Sequence, residues 1–374
     1  MFKSTASLLT CTILGAMLAT STASATTIAL DYNPSQFADA KGQQALAGFQ
    51  EAAMFWENMF TDSVTVNLTV AFDSLGSEVL GNTSSTFTRQ SYHNTGYQLV
   101  QDVTSQADAI AVSNLECVEF EPSVCGITFL DTEQDENGNN FTEHDTDGSI
   151  DNTFLEMTQA NAKALGFTSD LFGNPFQSTD AQITFSNTFA FDFDPTDGID
   201  SDKWDFIGVA IHEIGHALGF TSGVDLYDRY NDIDANPQYT YNLDNYAAAS
   251  TLDIFRYSEE SYQVSAGVKD FRAGEDSYFS IDGGATNYAP MSTGTVTGDG
   301  RQASHWKDHL DIGALDPTAA PGEFVDVTGY DLLAFDAIGW DLRTATAEVP
   351  EPSTIALFGL ATLGLVASRR RKIK

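Results

Sequence analysis

The chain has 374 residues, of which 42% are hydrophobic and 11% aromatic, enough for one large or two ordinary domains with a substantial core, so disorder is excluded as the general state. With 17 Lys and Arg against 53 Asp and Glu, the formal net charge of -36 excludes a broad nucleic-acid-binding face, because phosphates are repelled over most of the surface.

Residues 1–25 read as a secretory signal: Lys3, then the apolar stretch Leu8 to Ala19, then the small-residue cleavage site Ala23-Ser24-Ala25. The mature chain is expected to begin near Thr26. Ile28-Ala29-Leu30 reads as a strand, and Leu46, Phe49, Ala53, Trp56 and Phe60 recur at steps of three and four, the apolar face of a helix. Val64, Val66, Leu68, Val70 and Phe72 alternate as a half-buried strand does. Cys117 and Cys125 remain once Cys11 leaves with the signal, and in an oxidising compartment a local disulfide is their expected use.

Residues 131–152, crowded with Asp, Glu, Asn and Gly, read as an exposed loop or insertion; Glu133, Asp135, Asn137 and Gly138 hint weakly at an EF-hand calcium loop, but His144 occupies the position of its closing Glu. Ile183, Phe185, Phe189, Phe191 and Phe193 read as another strand, ending in the turn Asp194-Pro195-Thr196-Asp197-Gly198. Asp205 is placed to cap a helix over Ile207 to Leu218 that stops at Gly219, and a second helical pattern runs from Tyr330 to Ile338 before Gly339. The stretch between these helices, rich in Gly, Ser, Thr, Asp and Tyr, reads as loops and short strands. The fold class is therefore α+β.

The helix after Asp205 carries His212-Glu213-Ile214-Gly215-His216, the HExxH signature. Residues four apart on a helix lie about 40° apart around its axis, so both imidazoles can face one zinc ion while Glu213 sits at the flank to accept a proton from zinc-activated water. A catalytic zinc site wants a third protein ligand.

The extension through Gly219 and Phe220 resembles the HExxHxxG of metzincin metalloproteases. In most of them the third ligand stands three residues after the glycine, where this chain has Ser222. The chain is similar instead to leishmanolysin-like metzincins, in which an insertion follows the glycine and the third histidine arrives late, in a His-Trp pair before the Met-turn. Ser304-His305-Trp306 stands here 89 residues beyond His216, followed by Ile312-Gly313-Ala314-Leu315-Asp316-Pro317 with Leu315 where Met is usual. The resemblance, which spans about Ile183 to Trp340, implies a metzincin-like zincin fold. Its N-terminal subdomain (26–220) is a twisted sheet with two long helices ending in the HExxH helix, and its smaller C-terminal subdomain (221–345) carries the third ligand and the Met-turn-like segment.

It also implies zinc on His212, His216 and His305, Glu213 as general base, Leu315 as a packed floor, and an edge strand at Ile183 to Phe193 pairing with extended substrate. Competing assignments are Asp225 or His309 as third ligand and Met291 as the true Met-turn; His93 and His144 read as surface histidines. Asp194, Asp197, Asp200 and Asp202 are a candidate structural calcium loop.

At the other end, Val349-Pro350-Glu351-Pro352-Ser353, the apolar run Ile355 to Ala367 and Arg369-Arg370-Arg371-Lys372 closely resemble the PEP-CTERM sorting signal of Gram-negative bacteria, here over residues 349–374. The run is shorter than the roughly 17–25 residues of an ordinary span, and the basic cluster would hold the end in the cytoplasm. The resemblance implies transient inner-membrane anchoring, an exosortase-like processing partner and export to the cell envelope or beyond. The expectation is a secreted zinc metalloendopeptidase acting on proteins or peptides. The competing function is a catalytically vestigial envelope or matrix protein whose acidic surface serves binding.

Overall fold

The computed structural model describes residues 25–116, 125–134, 139–230 and 243–343. The signal, the C-terminal tail, Cys117 and the Asp135, Asn137 and Gly138 of the EF-hand-like pattern lie outside the described residues, while Cys125 is disulfide-bonded and buried. Among the described residues no helix is long and apolar enough to cross a membrane.

Strand β1 (Thr27–Tyr32) leads to helix α1 (Ala40–Met59), whose N-cap Asp39 accepts the Gly42 amide at 2.7 Å. Of the face read from the sequence, Phe49, Ala53 and Trp56 are buried in the helix and Phe60 just beyond it, while Leu46 is half-buried and Ala45 takes the inward place beside it. In β2 (Thr65–Asp73), Val66, Leu68, Val70 and Phe72 point inward. There follow β3 (Gly81–Ser85), β4 (Phe87–Ser91), α2 (Tyr92–Gln101) and α3 (Gln106–Ser113). Contrary to the expected loop at 131–152, β5 (Phe129–Gln134) and β6 (Asn140–Asp145) form an antiparallel hairpin, followed by α4 (Ile150–Thr153). Residues 140–144 of β6 are exposed, so the strand rests on backbone pairing and polar contacts such as Arg272 to Thr142 and leaves no apolar alternation to read.

Beyond β7 (Phe154–Thr158) and α5 (Gln159–Ala164), the stretch read as one strand from Ile183 to Phe193 divides into β8 (Ala181–Ser186) and β9 (Phe191–Asp192), which pairs with β10 (Trp204–Asp205). The break falls where Ser186 and Thr188 bond hydroxyl to hydroxyl at 2.8 Å across a turn. Both halves send phenylalanines into one cluster, Phe185 and Phe191 against Phe206, which is why the alternation runs on through the turn. The main sheet has the order β1-β2-β8-β3, with β3 the sole antiparallel member. β8 is thus interior, not the edge strand expected, and the edges of the sheet are β1 and β3.

Helix α6 (Phe206–Leu218) lies against α1, with the Trp56 indole donating to Ile211 O at 3.0 Å and Phe206 edge-on to Phe49. After α7 (Val224–Tyr230) come β11 (Arg256–Tyr257), α8 (Glu259–Val264), β12 (Lys269–Asp270), β13 (Ser277–Phe279) and β14 (Ala289–Met291), the short elements that the composition implied. Helix α9 (Gly329–Ala337) closes the described chain; beyond it Trp340 donates to Leu218 O at 2.9 Å and fixes the end of α6.

Carboxyl groups crowd together where the loop after α2 meets the end of α9. Burial and Asp341 push Asp62 up to about 7, and burial with Asp341, Asp62, Asp108 and Asp336 pushes Asp102 up to about 8. Unfolded carboxyls titrate near ~4, so between about pH 4 and 8 the folded state binds more protons and these groups lose stability as pH rises. Asp102→Asn should flatten that loss, measured as the Tm difference from wild type across pH 5 to 8.5. A difference that does not change with pH would count against this assignment.

Candidate metal centre and cleft

Asp205 caps α6 by accepting the Gly208 amide at 2.9 Å and ties it to Val325 N at 3.2 Å. A Cβ at Gly208 would lie 2.4 Å from that carboxylate and 2.5 Å from Val325 Cβ, so this position admits only glycine. At the far end Gly219 has φ 126° and rests against Asn161, turning the chain so that Phe220 O accepts from His216 Nδ1 at 2.7 Å.

His212 and His216 face one point, and the chain returns from β14 to bring His305 to it. The His216 Nε2 lies 3.1 Å from His212 Nε2 and 3.1 Å from His305 Nε2. Each ring gives its other nitrogen to a backbone carbonyl: His212 Nδ1 to Ala314 O at 2.8 Å, His216 to Phe220 O, His305 to Gln302 O at 3.2 Å. Those bonds select the tautomer that leaves all three Nε2 lone pairs directed inward. Nitrogens ~2.05 Å from a tetrahedral zinc stand ~3.3 Å apart, so the residues fit that ion. Burial lowers the basicity of all three rings; burial and His212 hold His216 down to about 4, and burial with His216 and His212 holds His305 well below its usual range. Neutral imidazole is the ligand form.

Glu213 sits beside them, buried, with Thr83 Oγ1 2.7 Å from its Oε2 and 2.8 Å from its carbonyl oxygen. Burial raises its affinity for a proton, while His216 and Thr83 pull the other way. A Cβ at Gly81 would lie 3.0 Å from Glu213 Oε1, so β3 passes directly over the carboxylate. A cleft of about 1440 Å³ contains the three histidines and Glu213, with Leu80 to Thr83 along one wall and Ala247, Ala248 and Ser250 among the lining residues.

Asp225 lies outside the converging group of histidines. Its carboxylate accepts from Ala303 N at 2.7 Å and Ser304 Oγ at 2.6 Å, so it holds the segment that carries His305. Ser222, at the usual third-ligand position, donates to Asp253 at 2.5 Å. His309 is exposed beside Asp308, Met291 is buried in β14 where it bridges Trp306, and neither His93 nor His144 joins the group. Leu315 packs against the helix, its Cδ1 3.1 Å from where a Gly215 side chain would begin.

The calcium loop expected at Asp194 to Asp202 does not converge: Asp194 accepts from Thr196 N at 3.2 Å and Asp200 pairs with Lys203 at 2.5 Å. Short side chains in successive turns satisfy neighbouring amides before they reach a common centre.

Two supporting residues escaped the sequence reading. Asp331, fully buried, accepts from Trp306 Nε1 at 2.7 Å, Ala314 N at 2.9 Å, Leu315 N at 3.3 Å and Thr328 N at 2.7 Å, joining third ligand, floor and α9. Its signal was the capping box Thr328 to Asp331. Thr83, in a short polar strand, left none.

Residues 348–372 match the model of the PEP-CTERM protein-sorting motif. No curated protein and no solved structure matches the chain. The motif is one that exosortase recognises, and it makes this an exported protein with a C-terminal sorting tail.

Proposed function

We propose that the chain is an exported zinc endopeptidase of metzincin type with a late third histidine. The observation that carries this reading is the convergence of three neutral imidazole nitrogens, each oriented by a carbonyl, beside a buried carboxylate in an open cleft. His212, His216 and His305 would hold zinc, which when bound would supply Lewis acidity toward a peptide carbonyl and a water molecule. Glu213 accepts the proton and passes it to the leaving amine, a role that its burial favours. The outer edge of β3 borders the cleft, and an extended peptide adds there as a further strand.

The test is metal analysis of the purified protein together with casein cleavage. The expected result is one zinc per chain and hydrolysis that a chelator removes and added zinc restores. Zinc without cleavage of casein or other proteins would favour the vestigial binding protein, and cleavage confined to its own chain would mean self-processing. On the same material, intact mass should place the start near Thr26 and the end near Pro352; an extracellular form retaining Arg369 to Lys374 would refute exosortase processing.

A further inference from the structure

Away from the cleft, Asp145 at the end of β6, Asp151 on α4 and Asp244 on the 3-10 turn Leu243–Asn245 bring three carboxylate oxygens within 4.8 Å of one another. Asp151 is 1% exposed; one oxygen takes the Ser149 hydroxyl, and the other, Oδ2, is buried without a hydrogen-bond partner. Its nearest like charges are Asp145 and Asp244. Two further buried oxygens lack a hydrogen-bond partner, Asp131 Oδ1 and the Tyr227 hydroxyl, and the charges of Asp145 and Asp151 act on both residues. Among the described residues no Lys or Arg is paired with Asp131, Asp145 or Asp151.

Carboxylates gathered this closely, one of them with a buried oxygen that no donor satisfies, are held together by a proton or by a cation. We propose that Asp145, Asp151 and Asp244 bind a hard divalent cation, calcium, which braces the turn at Leu243–Asn245 against α4. Oxygens around calcium at ~2.4 Å stand up to ~4.8 Å apart, and calcium accepts an all-oxygen cage of carboxylates, whereas magnesium keeps most of its water. The chain leaves Asp244 directly for Ala247, Ala248 and Ser250 of the cleft wall, so the ion steadies one side of the cleft from behind. The proposal rests on the carboxylates alone and stands whether or not the cleft hydrolyses peptides.

The test is titration of the full-length zinc-loaded protein, cleared of calcium on a chelating resin, with calcium chloride at constant zinc, read by calorimetry and thermal unfolding. One calcium should bind with a dissociation constant of about 10⁻⁴ to 10⁻³ M or tighter, and ~10 mM should raise the Tm by several degrees. Asp151→Asn and, at the less buried position, Asp244→Asn should each weaken binding at least tenfold, while Asp194→Asn leaves it unchanged. Wild-type protein indifferent to 10 mM calcium would overturn the site, and so would unchanged binding in both cluster variants. If Asp151→Asn raises the Tm without calcium while wild type ignores the ion, protons hold the cluster and the proposal is wrong.

Discussion

Glu213→Ala should keep zinc at wild-type stoichiometry and lower the turnover of casein by about 10²- to 10⁴-fold. The carboxylate is no ligand, and its hydrogen-bonding partner is not orphaned by the change: Thr83 Oγ1 retains the Glu213 carbonyl at 2.8 Å. The helix should therefore keep its stability, and the three Nε2 atoms their spacing. Metal analysis beside initial rates on the same preparation separates the two roles. Turnover within about tenfold of wild type would remove Glu213 from the chemistry.

The second large effect belongs to the late histidine. His305→Ala deletes one of three nitrogens and should weaken zinc by several orders of magnitude, with activity lost in parallel. The structure gives Asp225 a part in this that the sequence did not suggest. By accepting from Ala303 N and Ser304 Oγ it fixes the two residues before the ligand, so Asp225→Ala should weaken zinc by about 10- to 100-fold, as loss of an outer support does. Competition with a chromophoric chelator ranks both variants on one scale. If Asp225→Ala loses the metal while His305→Ala keeps it, the three-histidine assignment fails.

What the sequence disclosed follows from which forces leave a periodic trace. Helix α1 and strand β2 each bury one face, so their apolar residues recur at 3.6 or 2, while α6, buried nearly all round, was legible from its cap Asp205 and its stop Gly219. His212, Glu213 and His216 were legible because one helix carries all three. His305 became legible only through the resemblance carried by Trp306 and the segment around Leu315, since its approach to the helix depends on chain reversals that no local pattern encodes. Strand β3, Gly-Asn-Thr-Ser-Ser, is held by backbone pairing and lies over Glu213, so it shows no alternation and was missed. The long strand read through Phe193 failed for the opposite reason: one aromatic cluster recruits side chains from both sides of a turn.

Asp331 and Trp340 also set an order of events during biogenesis. The buried carboxylate that anchors Trp306, Ala314 and Leu315 lies on α9, and the indole that pins the end of α6 follows it, both just ahead of the sorting tail at 348–372. A chain emerging from its N-terminus carries the HExxH helix long before it carries these anchors. Until Asp331 has emerged, the Trp306 indole and the Ala314 and Leu315 amides lack the carboxylate that joins them. The contacts that frame the three nitrogens are therefore complete only once the chain has been made almost to the tail.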